Sequence, residues 1–280
     1  MKLKLALPAV CLTAILTGCG STATTVVETP KATTSAIDSK LEETLKSTQD
    51  WNPLDSSDYD LPNKATDHFN ESQVNSVAED VIGLLENQLK FQQAGSRDEV
   101  LDDVDKFIAS APGRISHDLK GSKKASMEGD DELWPVAYVQ EVGSAYTIKD
   151  ESRTTYAWRV REKNMFGTKG VEVLVLHRTF YRLTNESDDE NFVSVGRWIG
   201  LSTIDPEYAE SSKDYAYTIN YAYAGANLCD AHSSYLLVPT DKEEDEAFSG
   251  KLTSVPSKEF VPHSDFKVNE EAREQALQRC

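Results

Sequence analysis

The chain has 280 residues, 39% of them hydrophobic, and a formal net charge of -18 from 29 basic and 47 acidic residues. That excess of acid argues against nucleic acid as a partner, since such binding rests on lysine and arginine neutralising phosphates, and against close contact with anionic lipid headgroups. It fits a body that stays soluble through charge repulsion at a crowded surface, or one that meets a positively charged partner.

The first residues have the three zones of an export signal. Lys2 and Lys4 supply a positive start, residues 5–16 form an apolar run, and Leu16-Thr17-Gly18-Cys19 closes it. The run is shorter than the roughly 20 residues that span a bilayer. The closing stretch resembles the lipobox of bacterial lipoproteins: an aliphatic residue, two small ones and a cysteine. The resemblance implies that residues 1–18 are a signal peptide and that the Cys19 sulfur takes a diacylglyceryl group and becomes the new N-terminus. Two acyl chains on one residue suffice for stable anchoring, at about 0.8 kcal/mol per buried CH₂. The body would then face the extracytoplasmic side of a bacterial membrane. That membrane is the plasma membrane or, in a two-membrane bacterium, the outer membrane, which the absence of aspartate at Gly20 favours. A plain signal with an incidental cysteine is the alternative. Loss of Lys2 and Lys4 with the signal takes the net charge from -18 to -20.

Residues 20–36 are rich in Ser and Thr and read as a polar tether, with a weak helix at 37–48 and turning chain to 63. The expected organisation is a signal at 1–18, a lipidated N-terminus and flexible stalk at 19–66, and a single domain at 67–280. Apolar residues recur at three and four residue steps over 71–93, from Val74 to Leu89, which predicts an amphipathic helix. Asn70 and Gln73 make a capping box before it, and Gly95 a stop. Ser96 opens a second helix with Val100, Leu101, Val104, Phe107 and Ile108 as its buried stripe. Asp98, Asp102, Asp103 and Asp105 invite a metal reading, but helical spacing puts Asp98, Asp102 and Asp105 on the solvated face. Residues 114–133 are polar and read as a long loop.

From Trp134 the period changes from 3.6 to 2. Strands are expected at 136–148 (one, or two broken at Gly143), 153–161, 171–183 and 192–204, with Gly196 and Gly200 as points of bulge or curvature. Tyr215, Tyr217, Ile219, Tyr221 and Tyr223 alternate strictly with small or polar residues, which is the clearest strand signal in the chain. Residues 231–238 complete the run, 254–266 read as extended, and a short helix is expected at 270–278. Helices followed by an antiparallel meander of five or six strands make an α+β domain. In element order this is similar to the NTF2-like cone fold, although that fold places another helix where this chain has a polar loop. A β-sandwich or half-barrel with helices on one side is the rival architecture.

Cys11 leaves with the signal and Cys19 carries lipid, so Cys229 and Cys280 remain, in a compartment that permits disulfides. A bond between them would close a 52-residue segment and contribute about 4 kcal/mol on the loop-entropy model. A buried free Cys229 or an intermolecular bond through Cys280 are the alternatives. His68, His117, His177, His232 and His263 are scattered, and no nucleophile, phosphate-loop, zinc or calcium motif is present. No cofactor or metal is implied, and an enzyme ranks third among function classes. The first is a non-enzymatic interaction or accessory protein with an envelope protein as partner. The second is a small-molecule or lipid-binding module. Its pocket would be lined by Tyr215, Tyr217, Tyr221 and Tyr223, joined by Trp158, Tyr181 and Trp198 from neighbouring strands. The same aromatics would equally build the core face of the sheet.

Overall fold

The computed structural model describes residues 34–57, 59–128, 134–165, 167–204, 215–240, 252–266, 278 and 280. The signal, Cys19, the start of the tether and the helix expected at 270–278 lie outside the described residues. In chain order the elements are α1 (Thr34–Ser47), β1 (Asn52–Pro53), α2 (Glu71–Leu89), β2 (Gln93–Ala94), α3 (Arg97–Ser110), α4 (Gly113–Glu128) and α5 (Trp134–Tyr138). They continue with β3 (Val142–Gly143), β4 (Thr147–Ile148), β5 (Arg153–Met165), β6 (Thr168–Thr184), β7 (Glu190–Thr203), β8 (Tyr215–Ala224), α6 (Leu228–Ser234) and a 3-10 turn at His263–Asp265. The fold is α+β. One open antiparallel sheet runs β1-β5-β6-β7-β8, with β4 pairing β6, and β2 and β3 form a separate parallel pair.

Local chemistry accounts for the two helices that spacing predicts. The Asn70 side chain accepts from the Gln73 backbone N–H while the Gln73 side chain accepts from that of Asn70, each at 3.0 Å, closing the capping box of α2. At α3, Ser96 Oγ accepts from the Glu99 N–H, and the Glu99 carboxylate accepts from Gly95 N. Asp98, Asp102 and Asp105 are exposed and Asp103 is buried.

Three readings need correction. Residues 114–133 are not one loop: α4 occupies most of them, built on Ile115 and Leu119, which are buried one turn apart. Lysines and Gly121 dilute its apolar signal, so packing against α3 and α5 rather than propensity forms this helix. Residues 136–148 begin as α5, and only the short β3 and β4 are extended. Residues 231–238 begin inside α6, because the Asn227 side chain accepts from the N–H groups of Cys229 and Asp230 and caps a helix there. Beyond α6, Leu237 bridges to Val142.

The pairing register sorts the long strands into two faces. One presents Tyr156, Trp158 and Val160, Val171, Val173, Val175 and Tyr181, then Val195, Ile199, Leu201, Tyr217, Ile219, Tyr221 and Tyr223. These pack with the buried stripes of α2 and α3 and with Leu119, Val136 and Val139 in the main core. The other face carries Leu174, Leu176, Trp198 and Ala222, covered by Leu252, Phe260, Val261 and Phe266 of the C-terminal segment 252–266. Leu41 of α1 and Trp51 pack beside them on Phe180. Leu41 and Trp51 thus pack against the sheet from within the range expected as stalk, 19–66. The sheet is neither a sandwich nor a closed barrel.

Gly196 and Gly200 do not interrupt β7, whose register runs unbroken through both. They make room. A Cβ on Gly196 would lie 2.6 Å from the Leu252 side chain, and one on Gly200 2.5 Å from that of Leu174.

Among the described residues the helix layer holds two buried acids, Asp103 and, more deeply, Glu141. Glu141, just before β3, is fully buried and its carboxyl oxygens meet no ordinary donor. Burial, followed by the charge of Asp103, pushes its pKa up to about 8, so Glu141 is mostly uncharged at neutral pH.

Candidate functional site

Cys229 and Cys280 are joined by a disulfide, with Cα atoms 5.3 Å apart, which ties the last residue of the chain to α6. The aromatic residues divide. Trp158, Tyr181, Tyr217, Tyr221 and Tyr223 share the helix-side face, where they belong to the packed core. Tyr217 hydrogen-bonds Ser122 of α4, Tyr181 OH accepts from Arg197 Nη2 at 3.3 Å, and the rings of Tyr221 and Tyr223 stack at 6.3 Å. Tyr215 begins the same strand, its side chain outside the described residues. Trp198 lies on the opposite face, paired in register with Asn220 rather than with a tyrosine. The expected pocket therefore loses Trp198, and the tyrosine stripe serves as core.

His177 is buried on the helix side, its Nε2 2.7 Å from Thr154 Oγ1. Burial first, then the charges of Arg197 and Arg178, pull its pKa well below the ordinary value, so the imidazole is neutral. His232 lies in α6 and not in a strand, His68 pairs with Glu162 at 2.9 Å, and His117 is exposed. Among the described residues no group of three His, Cys, Asp or Glu is placed to hold a metal.

The site that strand spacing alone does not disclose lies on the sheet's outer face. Arg159, Arg161 and Lys163 occupy alternate positions of β5 and point away from the helices. Across the ladder Arg161 is directly opposite Glu172, and Arg159 is opposite Leu174. Arg161 Nε donates to Glu172 at 2.5 Å, Arg159 Nη2 at 3.2 Å and Lys163 Nζ at 3.3 Å. Three cations thus converge on one buried carboxylate. Burial acts to raise the Glu172 pKa, but the Arg161 hydrogen bond and charge, with those of Arg159 and Lys163, outweigh it and hold the group below the usual glutamate range. The Arg159 guanidinium also lies 4.7 Å from the centre of the Phe260 ring, a cation–π contact that fixes it from the other side.

These arginines open onto a cleft of about 280 Å³. Thr218 and Asn220 of β8 line it opposite them, Leu174 and Trp198 contribute from the intervening strands, and Pro262, His263 and Ser264 belong to the covering segment. Three strand spacings separate β5 from β8, about 14 Å between backbones. His263 is held in place by Nε2 at 3.1 Å from the Tyr221 carbonyl and by its edge contact with Trp198, 5.1 Å between ring centres. A second cleft of about 260 Å³ at the β1–β5 junction has the opposite character, with Asp50 and Asp60 against Lys258. The alternation of Arg159 and Arg161 with Trp158 and Val160 is visible in the sequence as a solvated strand face. Glu172 and the lid of residues 260–264 are long-range partners, which a single strand's pattern does not contain.

Comparison of the chain with protein-family models, curated proteins and solved structures gives no match.

Proposed function

We propose that this protein is a lipid-anchored lipoprotein of the bacterial cell envelope. Its α+β domain stands on the extracytoplasmic side of the membrane and acts as a non-enzymatic interaction or accessory protein. The observation that carries this reading is the order of residues 2–19: two lysines, an apolar run too short to cross a bilayer, then Leu16-Thr17-Gly18-Cys19. Two features support it. The Cys229–Cys280 disulfide suits an oxidising compartment. Among the described residues no helix is long and apolar enough to cross a membrane, so a lipid would be the means of attachment.

Native mass spectrometry of the full-length protein, extracted from its own membranes in mild detergent, tests the reading. The expected mass corresponds to residues 19–280 with an acylated Cys19, two hydrogens short of the dithiol form, and Cys19→Ala abolishes the lipid. A wild-type protein that keeps residues 1–18 and carries no acyl group overturns it. A co-purifying envelope protein identifies the partner.

A further inference from the structure

We propose that the cleft beside β5 binds a small polar ligand through an oxyanion, a carboxylate or phosphate group, seated on Arg159 and Arg161. The inference rests on the fold alone and stands whether or not Cys19 carries lipid.

Charge provides the first argument. Arg159, Arg161 and Lys163 face the single carboxylate of Glu172, which leaves two positive charges in excess. In a chain of net charge -18, such a concentration of cations is out of proportion to what pairing Glu172 requires. The side chains remain accessible at 27% for Arg159, 53% for Arg161 and 42% for Lys163. The surrounding acidic surface repels anions at a distance, but at physiological salt the screening length is about 8 Å, so within the cleft the local cations decide.

Geometry provides the second. Glu172 takes Nη2 of Arg159 and both Nε and Nη2 of Arg161, and among the described residues Nη1 of each guanidinium has no hydrogen-bond partner. The two guanidinium planes are held by Glu172, and Arg159 also by Phe260, before any ligand arrives. Little side-chain freedom is left to lose on binding, and a fixed guanidinium matches the two oxygens of a carboxylate or phosphate. The rest of the lining supplies hydroxyls from Thr218 and Ser264, an amide from Asn220, the imidazole of His263, and the apolar surfaces of Leu174, Trp198 and Pro262. That lining suits a small hydroxylated body attached to the charged group, and a cleft of about 280 Å³ limits it to one such unit.

Isothermal titration of the full-length protein in mild detergent is the test, with glucuronate, glucose 6-phosphate, inorganic phosphate and neutral glucose as probes. Saturable one-to-one binding of at least one anion, with glucose at least tenfold weaker, is expected. Preference for glucuronate assigns a carboxylate, and preference for glucose 6-phosphate assigns a phosphate. Inorganic phosphate binding as tightly as glucose 6-phosphate would support the oxyanion seat and remove the hydroxylated body from the proposal. Arg161→Gln weakens binding at least tenfold. Asn220→Asp, which leaves the Glu172 cluster intact and adds a negative charge opposite the arginines, does the same with an unchanged melting temperature. The proposal is overturned if no anion saturates, if glucose binds as well as the charged probes, or if both variants bind like wild type. The mass of Cys19 is a separate readout, so failure here leaves the anchoring reading untouched.

Discussion

The sheet separates two coverings made of different kinds of chain. On one face lie α2, α3, α4 and α5, whose backbones satisfy their own hydrogen bonds, and beneath them the strands present mainly Val, Ile, Leu and Tyr. On the other face lies the largely irregular segment 252–266, few of whose carbonyls accept from a backbone N–H. There the strands supply donors. Arg178, fully buried, gives Nη1 to the carbonyls of Leu252 and Val255 at 3.0 and 2.8 Å, and Nη2 to those of Pro256 and Ser257 at 2.6 and 2.9 Å. Thr155 Oγ1 donates to Ser257 O and Trp198 Nε1 to Val261 O. Burial pulls the Arg178 pKa down to about 10, still far above neutral, so the guanidinium keeps its charge. The same logic appears where irregular chain crosses the helix side at Asp60, whose backbone is bonded by Tyr156 OH and Trp158 Nε1. The identity of the cover decides how polar a buried sheet face must be, because each buried backbone group needs a partner.

The most direct way to break the outer cover is Arg178→Met, which keeps bulk and removes four donors. An expected loss of about 3–5 kcal/mol follows from removing four charge-assisted hydrogen bonds and orphaning the carbonyls of Leu252 and Val255. Hydrogen exchange checks the comparison: residues 252–266 should lose protection while α2 and α3 keep theirs. Cys280→Ser releases the end of the chain from α6 and is expected to cost about 2–4 kcal/mol, measured by urea unfolding against the reduced wild type as control.

The helix side has a polar exception that sharpens the contrast. Glu141 has a folded-state pKa of about 8, raised above an unfolded value of about 4.3. Its contribution to stability is therefore complete below about pH 4.3 and is lost as pH rises through 8. Glu141→Gln mimics the protonated form. The variant should be close to wild type near pH 5 and exceed it by about 3–5 kcal/mol at pH 9 in chemical denaturation. Equal pH dependence in both proteins would remove Glu141 as the titrating group. The smallest effect expected is a gain. Gly121 of α4 is exposed and a Cβ there meets nothing within 4 Å, so Gly121→Ala should stabilise by about 0.5–1 kcal/mol, read from the melting temperature.

Local signals made the fold class legible. The capping box at Asn70 and Gln73, the stripes of α2 and α3, and the alternation through β5 to β8 all resolve into the elements they predict. What stayed hidden depends on contacts distant in the chain. α4 carries only Ile115 and Leu119 as buried anchors, too few to stand out against its lysines. The alternation of β7 and β8 shows that each has two faces, but only the register puts Trp198 opposite Asn220 and away from the tyrosines. In the same way Arg159 and Arg161 read as an ordinary wet face until Glu172, eleven residues after Arg161, is folded against them. The glycines of β7 were visible, yet their purpose is set by Leu174 and Leu252, one from the next strand and one from the covering segment.

The Arg178 bonds reach 74 to 79 residues ahead in the chain, and this has a consequence for timing. A polypeptide emerging from its N-terminus completes β6 and β7 long before the residues that cover their outer side exist. Through that interval Trp198, Leu176 and an uncovered guanidinium stand open to solvent, on strands whose apolar surface invites association with other chains. Shortening the chain before residue 252 would make that interval permanent. The helix-packed half would be finished, and the protein would carry an adhesive side that the intact chain conceals only in its last steps of maturation.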